Sequence, residues 1–403
     1  MLIKKYGFLA DNELKWIASS LLLGAIAADI YICITMDFLG RIPSTVLICL
    51  PCFFGWAILA TAHTYAKFCL GRFILGFGMA ITCIFVPLYI AEIADKYIRG
   101  ALSTIFIMAI AVGMIIVYCL EKFGTMDWIT VPFCAIPVLL LAIINYIPKS
   151  PILLCRKRQK EKARQNLQLF RGENYDISEE FAEVEMYSQV FFLSLHDSLS
   201  KKGSVTGMTM LIIMHCIQQL SGINTIIFYS YRICDMKHLF QYPIDGAIIF
   251  ATVQLISNLV SSLTVDKLGR KPLWILSLAA MSISYIVIGV CFMEKWESKY
   301  LTASIIILIA AYSLGAGPLP FVMGGELLSL QVKTFVTCIA MICNWLIGFF
   351  VVQLFQAIID KDWAHYMFFM YATFCFIGAL TITRILIETK HKSLLQIVNE
   401  LDV

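Results

Sequence analysis

One loop motif occurs twice in this chain. Asp37-Phe38-Leu39-Gly40-Arg41 returns as Asp266-Lys267-Leu268-Gly269-Arg270, with Lys271 following. Glu92 with Arg99-Gly100 returns, at nearly the same offset, as Glu326 with Lys333-Thr334. Pro148-Lys149-Ser150-Pro151 returns as Ile387-Glu388-Thr389-Lys390. Such a long-range echo restricts the chain to two related halves. The chain is also 60% hydrophobic and only 14% charged. A soluble domain carries about a quarter charged residues, so this much apolar surface belongs in a bilayer. Paired repeats in a membrane chain imply a solute site near the midplane, between the halves.

A membrane helix needs about 20 mostly apolar residues. Segments of that kind lie near 17–36, 43–62, 67–90, 101–120 and 128–147, then near 205–231, 245–264, 272–293, 300–325, 334–357 and 364–387. The expected fold is an all-α membrane protein with two helix bundles, five spans before a polar stretch and six after it. Carrying the repeat offset back from 205–231 places its counterpart before residue 1. The first membrane helix of the N-terminal half is therefore expected to be missing.

The polar stretch from Lys149 to Lys202 is rich in basic residues, among them Arg156, Lys157, Arg158 and Lys160. Positive charge marks the cytoplasmic side. Alternation then puts the loops at Asp37–Arg41, Glu92–Arg99, Asp266–Lys271 and Glu326–Lys333 inside as well. The expected organisation is an external tail over 1–16, an N-terminal bundle over 17–148 and a cytoplasmic linker over 149–204. A C-terminal bundle over 205–390 and a cytoplasmic tail over 391–403 complete it. Within the linker, Glu161 to Leu169 and Ser178 to Glu185 read as short surface helices.

The repeated motif suits a tight turn between antiparallel helices. Glycine lets the backbone approach a neighbouring helix. Aspartate favours a helix N-terminus, where the dipole welcomes negative charge. Arginine can grip a carboxylate at the end of an adjacent helix. Glu92 and Glu326 are the expected carboxylates, each followed by a basic residue, Arg99 or Lys333. Together Asp37, Gly40, Arg41, Glu92, Arg99, Asp266, Gly269, Arg270, Glu326 and Lys333 read as a latch on the cytoplasmic face.

Gln218-Gln219-Leu220-Ser221-Gly222-Ile223-Asn224 places three amides in an apolar run. Amides are costly in hydrocarbon unless partnered. Each offers donors and an acceptor, which suits a polyhydroxylated solute. Ser221-Gly222 would let the helix bend. Interhelical hydrogen bonding is the alternative use of the same groups. Gln254 and Asn344 add intramembrane amides, with Trp345 beside the second. Gly315-Ala316-Gly317-Pro318-Leu319-Pro320 interrupts the 300–325 segment, so Gly317, Pro318 and Pro320 read as a hinge and Phe321 as an aromatic lid. Broken backbone at this depth is tolerated only where it lines a cavity or packs on protein.

Other chemistries are absent from the sequence. The net charge of +4 is too small and too scattered for a nucleic-acid footprint. The fourteen cysteines show no metal-ligand spacing. No phosphate loop and no nucleophile–histidine–acid order suggests an enzyme. No metal and no cofactor is implied. Asp29 lies near the middle of the first apolar segment and is a candidate proton site.

These residues resemble the sugar porters of the major facilitator superfamily over essentially the whole chain. The matching pieces are Gly71-Arg72 with Gly76-Phe77-Gly78, Pro87 to Ile93, Arg99-Gly100, Gln218 to Asn224, Asp266 to Lys271, Gly317 to Pro320, Glu326, Asn344-Trp345 and Glu388-Thr389-Lys390. Within that family the chain looks most like insect facilitated trehalose and glucose transporters. The resemblance implies six helices in each bundle, with sugar bound between the bundles. It implies that Gln218, Gln219, Asn224 and Asn344 hold sugar hydroxyls. Gln254 stands where the family often has Asn, and Phe321 where it has Trp. Ile107 stands where glucose transporters have Gln. Lys149 and Ile152 depart from the family's Pro-Glu-Ser-Pro-Arg signature, and Lys333-Thr334 from its Arg-Gly.

The expected function is facilitated transport of a sugar, trehalose or a hexose such as glucose, by alternating access. The partners would be the small-molecule sugar and the lipid bilayer, with no nucleic acid. The protein would be a multi-pass protein of the plasma membrane with its C-terminus in the cytoplasm. The alternatives are a non-transporting truncated product or sugar sensor of the same fold, and a proton-coupled symporter using Asp29 or an acid on the missing first helix.

Overall fold

In hydrocarbon a chain must satisfy its backbone within itself, and an apolar run does so as an α-helix. A computed structural model describes residues 11–35, 41–123, 126–143, 146–189, 195–294, 296–359, 361 and 363–402. All regular structure among them is helical. The first bundle holds α1 (Asp11–Thr35), α2 (Arg41–Ala60), α3 (Tyr65–Ile93), α4 (Arg99–Phe123) and α5 (Met126–Ile143). A linker follows with α6 (Pro151–Arg156), α7 (Lys160–Arg171), α8 (Ser178–Gln189) and α9 (Leu195–Leu199). The second bundle begins with α10 (Lys202–Leu220), α11 (Ile223–Phe228), α12 (Ser230–Met236) and α13 (Pro243–Leu268). It continues with α14 (Arg270–Met293), α15 (Ser298–Ala311), α16 (Leu319–Glu326), α17 (Lys333–Ile358) and α18 (His365–Ile385). A last helix, α19 (Leu394–Asp402), follows it.

Eight helical stretches among the described residues are long and apolar enough to cross a bilayer. Ile48–Ala60 and Pro132–Ile143 are shorter apolar helices. The segment near 205–231, expected as one span, is a correction: it is three consecutive helices. The first break follows Ser221, where Gly222 takes φ 72°. That left-handed conformation is open to glycine and strained for other residues.

Small residues let the helices approach closely. A Cβ at Gly24 would lie 1.9 Å from the Phe73 carbonyl oxygen, and one at Gly76 would lie 1.9 Å from that of Leu21. These two glycines therefore bring the backbones of α1 and α3 together. The bundles meet most extensively along two helix pairs, α4 with α13 and α1 with α17, and α16 packs on α3 as well. The apolar core of the first bundle, around Leu22, Ile81 and Ile84, takes in Met341, Trp345 and Val352 from α17. The second bundle packs around Trp274, Tyr285, Phe355 and Tyr371.

The linker helices and α19 cover one end of both bundles, here called the linker face. Ile152, Tyr187 and Leu394 share an apolar cluster there. The Tyr187 hydroxyl donates to the Leu328 carbonyl at 3.0 Å, and burial pushes its pKa up. Arg171 donates to the Ile93 carbonyl at 3.0 Å and to Glu180 at 2.8 Å. Asp402 accepts from the Gly203 backbone N–H at 2.9 Å. That contact serves one of the orphan donors at the start of α10. The segment over 391–403, expected as a tail, thus contains a docked helix.

Candidate solute site and latch

The site is organised around a damaged helix. Between α15 and α16 the chain forms a π-helical turn, Tyr312–Ala316. Pro318 has no N–H for the Leu314 carbonyl, and Pro320 has none for that of Ala316. Side chains from neighbouring helices take over. The Ser261 hydroxyl donates to the Leu314 carbonyl at 2.8 Å. The Gln218 amide nitrogen donates to the carbonyls of Ala316, at 3.0 Å, and Gly317, at 2.9 Å. The Ser277 hydroxyl donates to the Ala311 carbonyl at 2.6 Å and accepts from the Ala316 N–H at 2.9 Å. Gly317, Pro318 and Pro320, the expected hinge, lie at this break.

From Gln218 a line of amides runs across to α17. Asn344 donates to Gln218 Oε1 at 3.0 Å, to His215 Nδ1 at 3.1 Å and to the His215 carbonyl at 3.3 Å. Gln219 donates to Asn344 Oδ1 at 2.8 Å. Asn224 donates to Gln219 Oε1 at 2.7 Å. Gly348 makes room for the line, since a Cβ there would sit 3.1 Å from Gln219 Oε1. Gln218, Gln219 and Asn344 are buried, whereas Asn224 is half-buried. The amides expected from the sequence at 218, 219, 224 and 344 therefore form one connected group.

Phe321 stands at the meeting of the bundles. Its ring lies 5.9 Å from Phe106 of α4 and 5.5 Å from His215, edge to face in both cases. Gln254 does not join the amide group in the structure. It lines a separate small cavity between the bundles with Met114, Tyr118 and Ile226. Sequence reasoning missed His215 and the serines that cap the broken helix. His215 stands three residues before Gln218, on the same helical face, and that spacing was the available signal. Tyr229, which donates to Gln356 at 2.6 Å across to α17, had no such signal.

On the linker face the second copy of the loop motif closes a compact ion-pair group. Arg270 is 1% exposed and Glu326 is 0% exposed. Arg270 Nη2 meets Glu326 Oε1 at 3.0 Å, and Nη1 meets Asp266 Oδ1 at 2.9 Å. Thr389 donates to the other Glu326 oxygen at 2.6 Å. Asp266 also accepts from the backbone N–H groups of Gly100, at 3.2 Å, and Ala101, at 2.8 Å. This carboxylate of the second bundle thus caps α4 of the first. Glu388 caps α14 in the same manner, accepting from Arg270 N and Lys271 N at 3.0 Å each. Gly269, at φ 98°, brings the turn against Glu388.

The other latch residues sit nearby with different partners. Glu92 accepts from Ser150. Arg99 donates to the Lys392 carbonyl at 3.4 Å. Lys333 donates to the Gly325 carbonyl at 2.7 Å. Asp37 and Gly40 lie outside the described residues, as does the side chain of Arg41, whose backbone opens α2. At the opposite face Lys122 and Asp245 join the bundles at 2.7 Å.

Two bundles, a buried amide group at their meeting and a charged clasp at one end are the frame against which known proteins compare. Residues 4–401 match the family described as "Sugar (and other) transporter". The chain is 27% identical over 401 residues to the facilitated trehalose transporter Tret1 of Bombyx mori, spanning 96% of this chain and 79% of that protein. It is 26% identical over 430 residues to the Homo sapiens solute carrier family 2, facilitated glucose transporter member 6, spanning 96% and 83%. The major facilitator superfamily proton:xylose symporter XylE, bound to 6-bromo-6-deoxy-D-glucose, superposes with a TM-score of 0.86 at 22% identity, over 98% of this chain and 91% of that one. The match along nearly the full length shows that this chain belongs to the sugar (and other) transporter family, and it shares the two-bundle fold of the major facilitator superfamily symporter.

Proposed function

We propose that this protein carries a sugar, trehalose or a hexose such as glucose, down its gradient across a membrane by alternating access. The observation that carries the proposal is the connected amide group of Gln219, Asn224 and their partners, held at the junction of the two bundles. Amides there can exchange hydrogen bonds with sugar hydroxyls, and the apolar surroundings exclude water that would compete. The relatives named for trehalose and glucose support that substrate class. The Arg270–Glu326–Asp266 clasp would hold the linker face shut, and its release would let sugar leave on that side. The linker face would be cytoplasmic, as its basic residues suggest, and the membrane would be the plasma membrane.

Uptake of labelled D-glucose and of labelled trehalose tests this in cells with verified surface expression. Saturable uptake of either sugar supports the proposal. Full surface expression with uptake no greater than in control cells overturns it and favours the sensor or inactive reading. Epitope tags at the C-terminus, probed with and without permeabilisation, test the orientation.

A proton-coupled variant has one observation in its favour. Asp29 is fully buried, and among the described residues its carboxyl oxygens make no hydrogen bond of normal geometry, the Trp345 indole lying beside them. Buried acids of that kind in membrane spans serve proton relays. Loss of accumulation on adding a protonophore would establish coupling. Uptake that ignores both the protonophore and external pH would dismiss it.

A further inference from the structure

Asp29 is an acid on the seam between the bundles that neither the clasp nor the amide group uses. It belongs to α1, which packs on α3 of its own bundle and on α17 of the other. It is 0% exposed, and among the described residues its oxygens make no hydrogen bond of normal geometry. Around it stand the Trp345 indole and Cys338 thiol of α17, the Cys83 thiol of α3 and the Cys33 thiol of its own helix. None of these is a cation. Arg72 of α3 is turned instead to the Ile17 carbonyl, at 3.4 Å, a point about 18 Å back along α1. A carboxylate in such surroundings costs far more than the neutral acid, and one indole donor does not offset the difference.

The place of Asp29 along α1 decides which side can reach it. α1 runs beside α3 in the same direction. Ile17 clusters with Phe68 near the start of α3, Cys83 stands beside Asp29, and α3 ends at Ile93 on the linker face. The far end of α1, at Thr35, therefore also points to the linker face. At the rise of an α-helix Asp29 lies about 9 Å from that end and about 27 Å from the start at Asp11.

We propose that Asp29 is a proton-operated stop on the linker-side gate. While the bundles are closed there, its carboxyl is sealed and neutral. When α1 and α17 part on the linker side, water reaches the group, its O–H bond breaks and the proton passes to that water. The carboxylate re-enters the closed seam only after taking a proton back from the same side. The proton is thus bound and released on one face and is not carried across, which separates this device from proton-coupled transport. Acid on the linker side favours the closed state and alkali the open one, by up to about tenfold per pH unit for one proton.

The inference rests on the transport reading, but its first test needs no sugar. Infrared difference spectra of purified wild type and Asp29→Asn at neutral pH should show a carboxylic-acid C=O band that the variant lacks. Arg270→Met releases the linker-face clasp, so the same band should weaken in that variant. The second test uses proteoliposomes of oriented protein with pH set separately on each side. The clasp makes the closed state dominant, so opening limits the flux. Flux of labelled D-glucose or trehalose should fall as linker-side pH is lowered from about 8 to about 5, by up to about tenfold per unit. It should ignore pH on the other side, and Asp29→Asn should be flat on both.

No acid band that depends on Asp29, or a band that Arg270→Met leaves unchanged, would overturn the proposal. So would a wild-type flux that responds equally to pH on the two sides. Bands that behave as expected, in a protein that moves neither sugar, would support the stop and sink the transport reading instead.

Discussion

Removal of Arg270 should open the linker face, and the size of the effect follows from burial. Arg270 and Glu326 have almost no contact with solvent, and the pair is anchored at 3.0 Å. Arg270→Met leaves the buried Glu326 carboxylate with, among the described residues, the Thr389 hydroxyl as its one hydrogen-bond partner and the nearby Arg99 as its remaining counter-charge. Stranding one member of a buried pair costs about 3–5 kcal/mol. In an open state water reaches Glu326, so the cost falls on the closed state alone. The open population should rise by about 100-fold or more. Hydrogen–deuterium exchange reads this directly at the Gly100 and Ala101 amides, which donate to Asp266 only while the clasp is closed. Their exchange should accelerate by that factor. Adding Glu326→Gln removes the stranded charge and should recover most of the protection. Exchange in Arg270→Met within about twofold of wild type, or a double variant no better protected than the single one, would refute the reasoning.

Four further outcomes follow from the geometry. Gln219→Ala breaks the line between Asn344 and Asn224 and should cut sugar uptake about tenfold or more at equal surface expression; unchanged uptake would remove Gln219 from the site. Gly222→Ala places a Cβ 2.5 Å from the Tyr371 ring at φ 72° and should lower stability by about 1–3 kcal/mol, seen as a lower melting temperature in detergent. Gly76→Val should abolish folding of the first bundle, because the added Cβ would sit 1.9 Å from the Leu21 carbonyl oxygen. Gly113→Ala, where a Cβ meets nothing within 4 Å, should leave surface expression unchanged and serves as the control.

What was legible in the sequence was whatever a bilayer penalises. A run of apolar residues has one backbone solution there, so the helices could be read from length alone. Pro318 and Pro320 lack an N–H wherever they sit, so the break in the helix was legible too. The amides stood out because hydrocarbon forces a polar group to find a partner, in a solute or on another helix. Orientation was harder to read. A helix that is apolar all round carries little periodicity, so nothing local said that Gln254 faces Tyr118 rather than Gln219. A single histidine among apolar residues reads as packing, and His215 was passed over. The docking of α8 and α19 depends on partners far along the chain, such as Leu328 for Tyr187 and Gly203 for Asp402. The decisive distinction between amides was also invisible in one dimension. Gln218, Asn344 and Asn224 offer the same functional group, but backbone carbonyls pin the first, its neighbours enclose the second, and only the third keeps an acceptor unused. A group the fold leaves unsatisfied is free to meet a solute, whereas a group engaged with protein must first give up a partner.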